Sequence, residues 1–169
     1  MSRQILLELV IRTDWNRIDS VRQAVSHCVA AVFGDVELKD SLPMVSAELL
    51  ENAFKYGLPD EDVTLSLVSD ANEVVLTITN AVAAGSRHLP VLKARLSWLM
   101  QFGDPFVAYT AALQQVYDGS GPDAPESGLG LVRIYYEGRC RLVCDTSHAG
   151  RVSISAKRSR DAAGSGPGS

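Results

Sequence analysis

Hydrophobic and polar positions follow two different periods along this chain, and each period predicts a different kind of element. Branched residues from Ile5 to Arg12 are typical of a strand. Apolar residues between Ile18 and Val32 recur every three or four positions, as in a helix that Asp14 caps. Alternating stretches at 63–68 and 74–78 predict two strands of a hairpin, with Asp70-Ala71-Asn72 as the turn.

Further helices are predicted on both sides of that hairpin. Ser41, which precedes Leu42-Pro43, is predicted to begin a helix that ends at Gly57. Leucines recur at helical spacing from Leu89 to Leu99, and Asp104-Pro105 has the residue types of a helix cap and first turn.

A second hairpin is predicted near the end of the chain, between residues 139–145 and 152–156, with its turn at His148-Ala149-Gly150. Two hairpins interspersed with amphipathic helices predict an α/β (α+β) fold. We expect a two-layer sandwich in which a mixed, mostly antiparallel sheet carries helices on one face.

One predicted helix has an unusually narrow polar stripe. Its segment Glu48–Gly57 places Glu48, Glu51, Asn52 and Lys55 three and four residues apart, so they share one side of an otherwise apolar helix. A carboxylate, an amide and an amine together are typical of the lining of a site. The same spacing also fits an ordinary half-buried helix with an ion pair from Glu51 to Lys55. The helical pattern alone leaves both interpretations open.

Size and composition indicate a single domain. The chain has 169 residues and is 46% hydrophobic, which is enough for one sizeable core. We expect one domain over residues 1–157. Residues 158–169 are polar and rich in Gly and Ser, so we expect a disordered C-terminal tail there.

Charge and hydropathy exclude some function classes. A net charge of −4 and a pI near 5.3 argue against a nucleic-acid-binding protein, which needs a basic face. No stretch approaches the roughly 20 apolar residues of a membrane span. The N-terminal segment lacks a signal-peptide cleavage site, and the three cysteines lack the spacing of a metal site. These observations predict a cytoplasmic protein with free thiols.

A second motif lies at a loop-to-helix junction, in the segment Glu126–Tyr136. Ser127 is suited to cap the helix, and Gly128 and Gly130 would let backbone N–H groups approach an anion at its N-terminus. Two glycines at such a junction also arise from turn and packing requirements alone. This glycine motif follows the polar stripe along the chain, in the order that a nucleotide site needs. That order favours a phosphate-binding role for the glycine motif.

The two motifs together resemble a known superfamily. The segment Glu48–Gly57 is similar to the N box of GHKL proteins, which include histidine kinases, gyrase-type ATPases and anti-sigma-factor serine kinases of partner-switching systems. The segment Ser127–Leu131 is similar to their second glycine box. Within the superfamily the chain most resembles stand-alone signalling kinases related to the anti-sigma factors, including the SiaB-type branch. The resemblance covers residues 1–157 in element order and implies the Bergerat-type ATP-binding fold.

This resemblance implies roles for the residues of the polar stripe. Asn52 would ligate Mg²⁺ through its side-chain oxygen, because a hard cation prefers oxygen ligands. Glu48 would be the catalytic carboxylate that orients or deprotonates the attacking hydroxyl or water. Lys55 would neutralise phosphate charge, whereas the roles of Glu51 and Tyr56 stay open.

The second glycine box would bind the phosphates of ATP. Backbone amides around Gly128, Leu129 and Gly130 would hold the phosphate chain, with Ser127 at the helix cap. The preceding loop, residues 119–125, would form part of a flexible lid over the nucleotide.

One element of the superfamily pattern is missing. The first glycine box, Asp-x-Gly-x-Gly, is replaced by Thr77-Ile78-Thr79-Asn80-Ala81 and the residues up to Gly85. Asn80 stands where the adenine-reading Asp is expected, and its amide oxygen still accepts a hydrogen bond but carries no charge.

The resemblance implies an ATP- and Mg²⁺-dependent serine/threonine protein kinase. Its partner would be a small STAS-like anti-sigma-factor antagonist or another signalling protein. The missing first glycine box favours an alternative, a catalytically inactive GHKL-fold binding module that acts by docking. A structural domain without a nucleotide is the third interpretation. Apolar helix faces are compatible with a homodimer.

Overall fold

The computed structural model describes residues 2–118 and 129–160, which form five strands, five helices and one 3₁₀ turn. The strands are amphipathic stretches of the predicted kind. In order along the chain they are β1 (Gln4–Ile11), β2 (Val63–Ser69), β3 (Glu73–Ala81), β4 (Arg141–Asp145) and β5 (Arg151–Ser159).

All five strands form one sheet in the order β1-β2-β3-β5-β4. Each pairing is antiparallel, and both predicted hairpins are present. Along β2 the residues alternate between buried and half-buried, so one sheet face is covered and the other is open to solvent. The predicted α+β class with an antiparallel sheet is therefore confirmed.

Helices form the second layer, on the covered face of the sheet. A 3₁₀ turn at Trp15–Arg17, capped by Asp14, leads into the first helix. The helices are α1 (Ile18–Val32), α2 (Val36–Tyr56), α3 (His88–Met100), α4 (Pro105–Asp118) and α5 (Leu129–Tyr136). None of these described helices is long and apolar enough to cross a membrane.

Helix α2 is the central element of this layer. Ten of its residues are buried, and the buried leucines Leu42, Leu49 and Leu50 belong to the hydrophobic core shared with the sheet. Burying a Leu side chain contributes roughly 1.5–3 kcal/mol, so this apolar surface fixes the helix rotation firmly. The polar side chains of α2 are consequently held at fixed positions.

The predicted start of α2 was wrong. The helix begins at Val36, five residues before Ser41, because the Asp35 carboxylate accepts hydrogen bonds from the backbone N–H of Glu37 and Leu38 at 2.8 and 3.4 Å. Pro43 lies inside the helix and Ser41 is buried rather than capping. The predicted end at Gly57 is confirmed by its backbone bond to Ala53 at 2.9 Å.

The predicted boundary at residue 158 also differs from the structure. Strand β5 continues to Ser159, and Arg158 is 6% exposed. Its guanidinium donates to the Ser41 hydroxyl, to the Gly138 carbonyl at 3.3 Å and to Glu37 at 3.1 Å. These contacts hold the end of β5 in the fold. Residues 161–169 lie outside the described part of the chain. For them the disordered tail stays a prediction.

Candidate functional site

The candidate site is built from the C-terminal half of α2, the end of β3 and the start of α5. These elements come together because the apolar sides of both helices pack in one core with the sheet. Two glycines mark the closest approaches. Gly57 lies against Asn80, and Gly130 lies against Glu48.

Glu48 is partly buried, with a side chain that is 17% exposed. Its Oε1 accepts a hydrogen bond from Arg133 Nη1 at 2.6 Å, across 85 residues of sequence. Its Oε2 lies next to Gly130, and a Cβ atom at that position would collide with it. One oxygen of the predicted catalytic carboxylate is therefore held by a hydrogen bond from α5, and the other lies against the start of that helix.

Burial raises the pKa of Glu48, because a carboxylate loses hydration in the protein interior. The positive charge of Arg133 acts in the opposite direction, while the negative charges of Glu51 and Glu137 raise the pKa further. The net direction is upward. A carboxylate with a raised pKa is a stronger base than an ordinary surface glutamate.

Arg133 is the residue that sequence reasoning missed. It lies on α5 and bridges Glu48 and Glu137, the latter at 3.2 Å. The sequence does contain an indication that Arg133 is special, because it is the one charged residue in the otherwise apolar run Leu129–Tyr136. Its partner could not be read from the sequence, since Glu48 lies in a different helix.

Asn52 and Lys55 follow Glu48 along α2, one and two turns later. The Asn52 side chain is half-buried, and no hydrogen bond joins it to another described residue. Lys55 is exposed, with its Nζ 5.5 Å from the centre of the Tyr56 ring. The alternative ion pair between Glu51 and Lys55 does not form within 4 Å. Within the described ranges, both polar groups are free of side-chain hydrogen bonds and ion pairs.

Asn80 is buried beneath the end of α2, with 6% exposure. Its Nδ2 donates to the Ala81 carbonyl at 3.2 Å, which also accepts from the Leu58 backbone N–H at 3.0 Å. A Cβ on Gly57 would approach Asn80 Nδ2 to 2.8 Å, so only glycine fits there. The residue predicted to read the base therefore lies next to Gly57 at the C-terminal end of α2, five residues beyond Asn52.

Part of the second glycine box falls outside the described residues. Leu129 and Gly130 are the first two described residues of α5. Ser127, Gly128 and the predicted lid at 119–125 lie outside the described ranges. Their predicted roles stay predictions.

The described residues contain no cluster of three or more His, Cys, Asp or Glu side chains able to hold a metal. One amide oxygen on Asn52 fits a Mg²⁺ ion that keeps waters and is bound mainly through phosphates.

Comparison with known proteins supports the fold. No protein-family model matches the chain, and no curated protein sequence matches it. Among solved structures, a chain in the crystal structure of the SiaB-SiaC complex from Pseudomonas aeruginosa is similar, with a TM-score of 0.70 at 18% identity. The match covers 91% of this chain and 89% of that chain. The protein therefore has a SiaB-like fold.

Proposed function

We propose that this protein is an ATP- and Mg²⁺-dependent serine/threonine protein kinase of a partner-switching signalling system. Its substrate would be a small STAS-like anti-sigma-factor antagonist or a similar signalling protein. The observation that carries the proposal is the contact of Glu48 with Gly130, which joins the two sequence motifs at one site. The SiaB-like fold supports a protein partner, because the neighbouring structure is itself a complex of two proteins.

Glu48 would act as the general base. Its carboxylate is held by Arg133 at 2.6 Å and has a raised pKa, so it is both oriented and basic. It would accept the proton of the attacking hydroxyl. ATP would supply the γ-phosphoryl group for in-line transfer, with Mg²⁺ neutralising charge on the phosphates.

Other residues would position the nucleotide. Asn52 would donate its side-chain oxygen to Mg²⁺, and Lys55 would offset phosphate charge. The start of α5, at Leu129 and Gly130, would place backbone N–H groups and the positive end of the helix dipole near the phosphates. Asn80 would accept a hydrogen bond from the base.

A second candidate function is a catalytically inactive docking module with the same fold. The burial of Asn80 favours it, because a side chain that is 6% exposed is poorly accessible to a nucleotide base. The missing first glycine box also favours the docking module. The two functions differ in whether nucleotide binding and phosphate transfer occur.

Calorimetric titration with ATP, with and without Mg²⁺, tests nucleotide binding. We expect Mg²⁺-dependent binding that Asn52→Ala weakens at least about tenfold, the effect of losing one strong polar contact. Asn72→Ala is the matched control, since Asn72 is exposed in the β2–β3 turn at the other end of the sheet. No binding at millimolar ATP would reject the kinase and favour the docking module.

Phosphate transfer from ATP to candidate STAS-like proteins tests catalysis. We expect Glu48→Gln to bind ATP and to lose transfer by roughly 10²–10⁴-fold, as expected for a general base. Transfer at the wild-type rate would exclude Glu48 as the base, even if ATP binding is present.

A further inference from the structure

A cluster of basic side chains lies at the end of the molecule opposite the candidate site. Arg139, Arg141, Lys157 and Arg158 line a cavity of about 260 Å³, which we call the basic pocket. It is formed by the start of β4 and the end of β5. Overall composition does not account for it, because the chain has a net charge of −4.

The basic pocket is separate from the nucleotide site. Arg158 reaches Ser41 near the start of α2, whereas Glu48 and Asn52 lie seven and eleven residues further along that helix, which corresponds to about 10 and 16 Å. The sheet shows the same separation. Lys157 lies near the end of β5, while Asn80 pairs with Val152 near its start.

The positive charge of the pocket is only partly compensated. Glu37 pairs with Arg139 at 3.3 Å and with Arg158 at 3.1 Å. Within the described ranges, neither Arg141 nor Lys157 has an acidic side chain within 4 Å. Among the described residues, Glu37 is the one carboxylate paired with this cluster, and it pairs with two of the four cations.

The strand register makes this arrangement unfavourable on its own. Arg141 and Lys157 are direct cross-strand partners in the β4–β5 pairing. Like charges directly opposite each other destabilise an antiparallel pair, whereas a bound anion between them would turn the repulsion into attraction. The pairing is therefore explained if the pocket binds an anionic group.

Arg158 adds a fixed positive charge to the lining of the pocket. Its side chain is 8% exposed, and three hydrogen bonds to Ser41, Gly138 and Glu37 fix its guanidinium. Arg158 faces the helix layer, whereas Lys157 and its exposed partner Arg141 lie on the open face of the sheet, because successive strand residues point to opposite faces. The cavity at the end of these strands is lined by residues from both faces. Planar guanidinium groups suit carboxylate and phosphate oxygens, which they bind through paired N–H donors.

We propose that the basic pocket is a docking site for an acidic segment of a partner protein. Nucleic acid is a poorer occupant, because the chain outside the pocket is more acidic than the whole and would repel a long polyanion. A compact acidic segment fits a pocket of this volume without meeting that repulsion. Docking here leaves the nucleotide site accessible and does not depend on the proposed kinase activity.

Fluorescence anisotropy with a labelled, glutamate-rich peptide at low ionic strength tests the proposal on the full chain. We expect the wild type to bind it, and Arg141→Gln/Lys157→Gln to bind at least about tenfold more weakly. Arg17→Gln/Arg22→Gln removes the same charge from exposed positions on the first helical segment and should change affinity less than about twofold. Circular dichroism confirms that each variant is folded.

Four outcomes would overturn the proposal. These are no binding by wild type, equal binding by the pocket variant, equal weakening by the control variant, and tighter binding of an oligonucleotide of matched charge. The variant Asn52→Ala should bind the peptide as wild type does. That result separates this site from the nucleotide site, so failure of the kinase proposal would leave the docking proposal intact.

Discussion

At the residue scale, burial and a neighbouring arginine shift the pKa of Glu48 in opposite directions. Burial disfavours its charge, and the Arg133 guanidinium at 2.6 Å restores part of the stabilisation that water would give. The arginine side chain is 43% exposed, so this pair is screened and adds little to folding stability. We interpret Arg133 as a positioning residue, one that orients the carboxylate proposed as the base.

Substitution of Arg133 and Glu137 should move the pKa of Glu48 in opposite directions. Arg133→Ala removes the positive charge that favours the ionised form, so the pKa rises. Glu137→Gln removes a negative charge that disfavours it, so the pKa falls. Carboxyl-detected NMR titration of Glu48 measures both shifts without requiring activity.

The same shifts should appear in the pH profile of phosphate transfer. A base works only when ionised, so the acidic limb should move to higher pH in Arg133→Ala and to lower pH in Glu137→Gln. Shifts in the same direction would show that the ion pair does not control the carboxylate.

At the element scale, helix α5 approaches α2 closely at both of its ends. A Cβ on Gly130 would collide with the end of the Glu48 side chain, which is flexible. A Cβ on Gly138, just after α5, would come within 2.9 Å of Val45 Cγ2 and would also collide with the Ile134 carbonyl, which is backbone. The two glycines therefore have different roles, one for the site and one for packing.

Alanine substitution should separate those roles. Gly130→Ala should change the free energy of unfolding by less than about 1 kcal/mol, yet lower transfer roughly 10–100-fold by displacing Glu48. Gly138→Ala should destabilise by about 1–3 kcal/mol through overpacking. The control is Gly34→Ala, where a Cβ meets nothing within 4 Å. Urea unfolding and the transfer assay give both quantities, and equal destabilisation by all three would contradict the assignment.

At the scale of the whole molecule, the two ends of the sandwich carry different chemistry. One end carries the candidate nucleotide site, and the other carries the basic pocket. Arg158 connects β5 to α2 at the second end through its buried hydrogen bonds. The last residues of β5 are therefore part of the fold as well as of the pocket.

Two truncated chains test that connection. A chain ending at Arg160 should unfold at the same urea concentration as the full chain, if residues 161–169 are a tail as predicted. A chain ending at Lys157 loses the bonds of Arg158 together with those of Arg160 to Asn72 and Asp70, and should lose at least about 2–3 kcal/mol of unfolding free energy. Identical midpoints for the two truncated chains would show that Arg158 does not stabilise the fold.

Local sequence patterns were sufficient to predict most helices and strands. They failed where long-range contacts determine an element's boundary or a residue's environment. Both hairpins, the Asp14 and Asp104 caps and the end of α2 follow from residue types that act within a few positions. The start of α2 was misplaced because Pro43 favoured a nearby helix start, whereas the Asp35 cap and the packing of Leu38 extend the helix upstream. Arg158 looked like a tail residue because its partners are more than a hundred residues away in sequence, apart from Gly138.

The sequence by itself determined the α+β class, the hairpins and the polar stripe of α2, because hydrophobic periodicity and turn chemistry are local. It also identified Glu48, Asn52 and Gly130 as candidates. Only the tertiary structure decided that Glu48 meets Gly130 and Arg133, and that four cations gather at the far end of the sheet. Those contacts join different helices and strands, and the packing of the shared core alone brings them together.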